Sequence, residues 1–218
     1  MLPKDRTITT KKTNAEIRTE NEAKILDAAE RMFSEYGYGG ASMQLIADIA
    51  ELPKSNIMYY FKSKKNLYQL ILENMLNAWL KAADEFESSD DPKQAISAYV
   101  RAKMQFARDR PYGSTVWAKE IMSGAPLLEP SLSESFNQWT FERVAVLEKW
   151  KRDGKITISD PNAFLYLIWA STQHYADFKS QLMILNNNKE FTDAEFEAKT
   201  QALNQMILSS AGLTSTPP

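Results

Sequence analysis

Residues 24–67 read KILDAAERMFSEYGYGGASMQLIADIAELPKSNIMYYFKSKKNL, and this stretch decides the fold of the N-terminal part of the chain. Ile25, Ala28, Ala29, Met32 and Phe33 recur at i, i+3, i+4, i+7 and i+8, one apolar stripe of an amphipathic helix. Gly37 follows Tyr36 and suits a helix stop, because glycine takes positive φ without strain; Gly39-Gly40 extends the break. Ser42 stands at an N-cap position before Ile46, Ile49 and Ala50, and Leu52 plugs the corner that follows. Pro53 fits the first position of a third helix, where its missing N–H costs nothing. Ile57 and Phe61, one turn apart, face inward and leave Lys54, Ser55, Asn56, Met58, Tyr59 and Tyr60 outside. Ser63 caps a fourth helix with Lys64 in its first turn.

Three short helices with a tight turn between the second and third form a helix-turn-helix, which lays its second helix in the major groove of DNA. An ordinary three-helix packing unit accounts poorly for Tyr59-Tyr60 and for Lys62, Lys64 and Lys65 on one surface. Each outward residue suits a DNA role. Lys64 reaches a phosphate. Asn56 can pair bidentately with adenine, Lys54 can reach guanine, and the apolar tip of Met58 can touch a thymine methyl. Gln44, near the start of the second helix, is a further base reader; Ser42, Ser55, Tyr59 and Tyr60 complete the expected DNA-binding set.

The run from Ile46 to Leu67, IADIAELPKSNIMYYFKSKKNL, resembles the TetR family of repressors in residue type, spacing and helix punctuation. It departs from the family pattern at Glu51, where glycine is usual, at Pro53, where serine is usual, and at Met58, where tyrosine is common. The resemblance implies a dimer whose two heads bind palindromic operator DNA and whose helical body answers a small molecule.

Composition limits the alternatives. The net charge of −2 is unevenly spread: residues 1–65 hold 11 Lys/Arg against 9 Asp/Glu, and residues 66–218 hold 15 against 19. A weakly basic head on an acidic body allows DNA binding without general polycation behaviour. With no cysteine, disulfides, zinc–thiolate sites and cysteine nucleophiles are excluded. No apolar run approaches the ~18 residues of a membrane span. The start, MLPKDRTITTKK, lacks the apolar core of a secretory signal, so a cytoplasmic protein is expected. The expected organisation is a flexible arm over 1–15, a helix-turn-helix domain over 16–65, a body over 66–211 and a tail over 212–218.

The body reads as all-α, a helical bundle. Helices are expected at about 63–87, 92–110, 115–124, 131–152, 160–185 and 192–211. Asp91-Pro92 and Asp160-Pro161 each supply an N-cap followed by proline in the first turn. Thr192 and Glu195 have capping-box spacing, and Gly154 ends the helix of Trp139, Val146 and Trp150. KITIS, residues 155–159, is the nearest approach to a strand.

Within LIWASTQHYADF, residues 167–178, Trp169, Thr172, Gln173 and Ala176 share one helical face, with Asp177 on another. A glutamine amide offers one acceptor beside donors, the complement of a cyclic imide edge. Trp169 can supply a stacking wall. This run, with SGAPLL at 123–128 and SDPNAF at 159–164, resembles the pyrimidine-utilisation repressors within the TetR family. That implies uracil or thymine as effector, with Trp79, Trp117, Trp169, Thr172, Gln173 and Asp177 as the candidate ligand set, and no resident cofactor or metal. Trp169 and Gln173 fit a subunit interface as well, and Trp79 and Trp117 fit a core. His174, the one histidine, has no nucleophile partner in sequence. Two other functions compete with a ligand-responsive repressor. An all-helical enzyme acting on a small heterocycle lacks paired acids, a metal cluster or a phosphate loop. A ligand-independent DNA-binding protein would use its body for dimerisation alone.

Overall fold

The computed structural model describes residues 13–83, 86 and 89–213. Among them the chain is helical and no strand forms. It divides into two compact units, one up to Leu67 and one from Tyr68. The expected arm at 1–12 and the tail at 214–218 lie outside the described residues.

The head holds α1 (Asn14–Gly40), α2 (Met43–Ala50) and α3 (Lys54–Phe61), and receives the start of α4 (Lys64–Lys81). The first helix is not short. A capping box fixes its start: Glu16 N–H donates to Thr13 Oγ1, and Thr13 N–H donates to Glu16 Oε2. Residues 13–15, expected in the arm, therefore belong to the helix and its cap. At Gly37 the backbone turns to φ +69°, which interrupts the helix where the glycine stop is read in the sequence. Ile25, Ala28, Ala29, Met32 and Phe33 are buried as their spacing requires.

Ser42 caps α2, its Oγ accepting from Leu45 N–H at 3.1 Å. Ile46, Ala47 and Ala50 are buried, whereas Ile49 turns outward. Glu51 ends α2 in the left-handed region, φ +54° and ψ +39°. The turn needs the conformation that glycine adopts most readily, so a glutamate there carries strain. Pro53 stands one position outside α3, at its N-cap, and its carbonyl accepts from Asn56 N–H at 2.9 Å.

The second unit is built from most of α4, α5 (Pro92–Asp109), α6 (Pro111–Met122), α7 (Pro130–Arg152), α8 (Pro161–Asp177), α9 (Lys179–Leu185) and α10 (Asp193–Ser210). Local signals set many boundaries. Asp91 caps α5 through Lys93 N–H at 2.9 Å, and Asp160 caps α8 through Asn162 N–H at 2.8 Å. Thr192 and Glu195 form the capping box of α10. The expected helix 160–185 is two helices. Phe178, at φ −113° and ψ +28°, breaks it, and its ring stacks on His174 at 4.9 Å. KITIS forms no strand; it buries Ile156 and Ile158, and Thr157 N–H donates to Ala211 O. The tail does not begin at 212. Leu213 N–H reaches back to Leu208 O and Gly212 N–H to Ser209 O, a Schellman turn that seats Leu213 on the core.

The strain at Glu51 is testable by chemical denaturation. Glu51→Gly should match or exceed wild-type stability by up to ~1 kcal/mol, because relief of the left-handed conformation opposes the added unfolded-state entropy. Glu51→Val, β-branched at positive φ, should lose ~1 kcal/mol or more. Equal stability of the two variants would show that the turn carries no such strain.

Candidate functional site

On the head, the outward face of α2 and α3 carries the expected DNA-contacting residues in unequal states. Lys54, Ser55, Met58 and Tyr59 are exposed, Tyr59 by 75%, while Ile57 and Phe61 anchor the helix beneath them. Asn56 is half-buried in the first turn. Gln44 is exposed, but its amide donates to Asp48 Oδ1 at 2.8 Å, so base contact requires exchanging that partner.

The outward placement of Tyr60 is corrected, and Lys64 has partners within the head. Tyr60 does not belong to the free face: it is half-buried against α1, with Arg18 5.9 Å over its ring and the Asn21 amide 3.5 Å from its hydroxyl. Lys64, expected at a phosphate, is engaged within the head. Its Nζ donates to Tyr38 O at 2.6 Å and Ala41 O at 2.8 Å, and lies 4.5 Å from the Tyr38 ring centroid. The ammonium thus ties the start of α4 to carbonyls that follow the Gly37 break near the end of α1. Hydrogen bonds from a charged group to such carbonyls exceed neutral ones in strength.

In the second unit, α4, α5, α6, α7 and α8 line a half-open cavity of about 200 Å³. Leu76, Trp79, Leu80, Tyr99, Lys103, Trp117, Ile121, Phe136, Trp139, Trp169 and Gln173 line it. Its size suits a single small ring rather than a drug-sized ligand. Trp79, Trp117, Trp169 and Gln173, taken from the sequence as ligand candidates, therefore meet at one place. The rings touch edge-on or tilted: Trp79 on Trp117 at 5.6 Å, and Phe136 on Trp169 at 5.5 Å. Trp169 Nε1–H donates to Tyr99 Oη at 2.8 Å, which fixes its plane; Trp139 Nε1–H donates to Leu80 O. Burial raises the Tyr99 hydroxyl pKa far above the ordinary tyrosine range, so it stays a neutral partner. The Gln173 amide has no hydrogen-bond partner among the described residues and borders the cavity.

Thr172 and Asp177 do not line the cavity. Thr172 is fully buried, and its hydroxyl is spent on Ile168 O at 2.7 Å, because position 172 points into the core one residue before Gln173. Asp177 accepts from Ser114 Oγ at 2.7 Å and so braces α8 on α6. Burial raises its pKa, opposed by the Ser114 bond, Lys103 and His174.

Leu76, Leu80, Tyr99, Ile121, Phe136, Trp139 and Lys103 complete the lining beyond the residues expected from the sequence, and Lys103 is the charged one. It is 4% exposed, with Nζ 3.9 Å from the Trp79 ring centroid. The signal was present: Ile96, Tyr99, Val100, Lys103, Met104 and Ala107 form the buried stripe of α5, and a lysine in that stripe is anomalous. Burial lowers its pKa to about 7, with the field of Asp177 opposing.

If Lys64 is a brace, Lys64→Met should lower head stability by about 1–3 kcal/mol in denaturant unfolding. Unchanged stability together with a reduced salt dependence of DNA binding would return Lys64 to the phosphate role.

Residues 25–71 match the family described as bacterial regulatory proteins, tetR family, and residues 72–214 match the YcdC-like protein, C-terminal region. The HTH-type transcriptional regulator RutR of Escherichia coli (strain K12) is 37% identical over 200 residues, 92% of this chain and 94% of that protein. Among solved structures, a TetR family transcription regulator from Marinobacter aquaeolei VT8 superposes with TM-score 0.65 at 16% identity, covering 87% of this chain and 96% of its own. A putative transcriptional regulator from Streptomyces coelicolor gives TM-score 0.67 at 21% identity, covering 89% and 99%. These two show the shared fold. The relatives are regulators rather than enzymes, and no described helix is long and apolar enough to cross a membrane. The chain belongs to the TetR family of bacterial transcriptional regulators, in its RutR-like branch.

Proposed function

We propose that this regulator is a cytoplasmic repressor that binds palindromic operator DNA as a homodimer and is released by a small cyclic imide, uracil or thymine. The observation that carries the effector reading is Gln173, an unpartnered amide at the edge of a cavity walled by Trp79, Trp117 and Trp169. An amide presents C=O beside N–H₂, which matches the N–H beside C=O of an imide. The indole rings supply flat apolar walls for a planar ring. A cavity with a few polar groups among apolar walls is the usual form of a small-molecule site.

The dimer reading is supported by apolar surface on the last helices, where Tyr166 and Leu167 of α8 and Met206 of α10 are exposed. Two recognition helices reading one DNA face require a separation near ~34–36 Å or a deformable value around it. Ligand control then follows from a population shift. The continuous helix α4 carries Lys64 of the head at one end and Leu76, Trp79 and Leu80 of the cavity wall at the other. A ligand that favours one cavity arrangement biases the position of that helix, and with it the spacing of the heads.

Two substitutions test the reading. Asn56→Ala should lose discrimination at one base position by ~1–3 kcal/mol in binding to DNA selected from random sequence; a uniform loss across all sequences would remove its base-reading role. Gln173→Leu keeps bulk but removes the polar edge. By titration calorimetry it should abolish uracil binding, whereas equal affinity in wild type and variant would put the imide elsewhere.

A further inference from the structure

Gln173 is one polar group of the cavity, and Lys103 is the other that reaches it as a potential cation. The two stand on different helices, α8 and α5. No described carboxylate lies within ion-pair distance of Lys103 Nζ; its ammonium form meets the Trp79 ring instead. Asp177 on α8 is the carboxylate whose field reaches it, and that carboxylate is engaged by Ser114. The other charged or titratable groups nearby are committed. Arg143 on α7 lies 5.3 Å over Trp139, and Glu120 on α6 accepts from Tyr68 Oη at 3.0 Å and from Leu127 N–H. His174 on α8 stacks on Phe178, and Tyr99 on α5 accepts from Trp169. The wall from α4 contributes Leu76, Trp79 and Leu80, none of them titratable.

A buried ammonium with no carboxylate in direct contact is costly, and an approaching oxygen acceptor lowers that cost. We propose that Lys103 is a second anchor of the effector: as an ammonium it donates to a carbonyl or ionised oxygen of the ligand, so binding takes up a proton and anionic oxygen ligands are favoured. This rests on the reading of the cavity as an effector site and adds which end of it selects oxygen. The proton comes from the buffer acid and forms the third N–H bond of Lys103 Nζ; no other bond changes. The sign follows from linkage. Free Lys103 titrates near 7, and the bound lysine must titrate higher, because the ligand oxygen stabilises only its charged form. Between those two values the complex holds more protons than the free protein, so affinity falls as pH rises, approaching tenfold per pH unit.

Calorimetry on the full chain tests this with two probes, uracil and benzoate, a planar carboxylate without an imide. Each is titrated at pH 7 and 8 in phosphate and in Tris, whose ionisation heats differ. Wild type should show buffer-dependent binding heats and several-fold weaker binding at pH 8. Lys103→Gln, with Lys103→Met as an apolar isostere, should lose both dependences. Benzoate binding with proton uptake that Lys103→Gln abolishes upholds the anchor even if uracil fails to bind, which would sink only the imide assignment. Uracil binding with identical heats in both buffers and no pH dependence leaves the imide reading standing and overturns the anchor. Binding of neither probe overturns both.

Discussion

A chain of aromatic ring contacts is the interaction on which the larger unit depends. Trp79, Trp117, Phe136, Trp169, Trp139, Tyr99, Phe86 and Trp150 follow one another at centroid distances of 5.4–6.4 Å. Aromatic pairs in edge and tilted contact contribute ~0.5–1.5 kcal/mol each beyond their buried area. Rigid planar rings also cannot close every gap between five helices. The space left is the cavity, and the rings that hold the fold are the same rings that shape it. Their orientation is set by hydrogen bonds, Trp169 to Tyr99 and Trp139 to Leu80 O.

That dual role explains the placement of polar groups. A cavity lined only by rings would be an apolar void. Here Gln173 enters from α8 and Lys103 from α5, each lacking a hydrogen-bond partner among the described residues. Asp177 and Thr172, in the same sequence run, are satisfied by Ser114 and Ile168 O. The contrast divides that run into structural and ligand-facing positions more sharply than helical periodicity does.

Local chemistry was legible in the sequence, and long-range partnership was not. Asp91-Pro92, Asp160-Pro161, Thr192/Glu195 and the Gly37 stop act through neighbouring backbone groups, so their spacing suffices. The left-handed Glu51 was legible only through the departure from glycine. The partners of Lys64 and Tyr60 were not legible because they lie 26 and 39 residues away, and an outward helical position does not reveal a carbonyl or helix waiting there. The break at Phe178 lacks glycine or proline and has no local signal. Lys103 is legible only as the one charged member of the otherwise apolar and aromatic buried stripe of α5, since helical spacing gives no hint of a cavity beside it.

The central claim is that occupation of the aromatic cavity and occupation of operator DNA are coupled. The most direct measurement is fluorescence anisotropy of a labelled operator, selected from random DNA, titrated with the full chain with and without saturating uracil. Coupling of ordinary size predicts that uracil weakens operator affinity about 5–150-fold, and that saturating operator weakens uracil binding by the same factor. Operator affinity unchanged by a ligand that demonstrably fills the cavity would contradict the account.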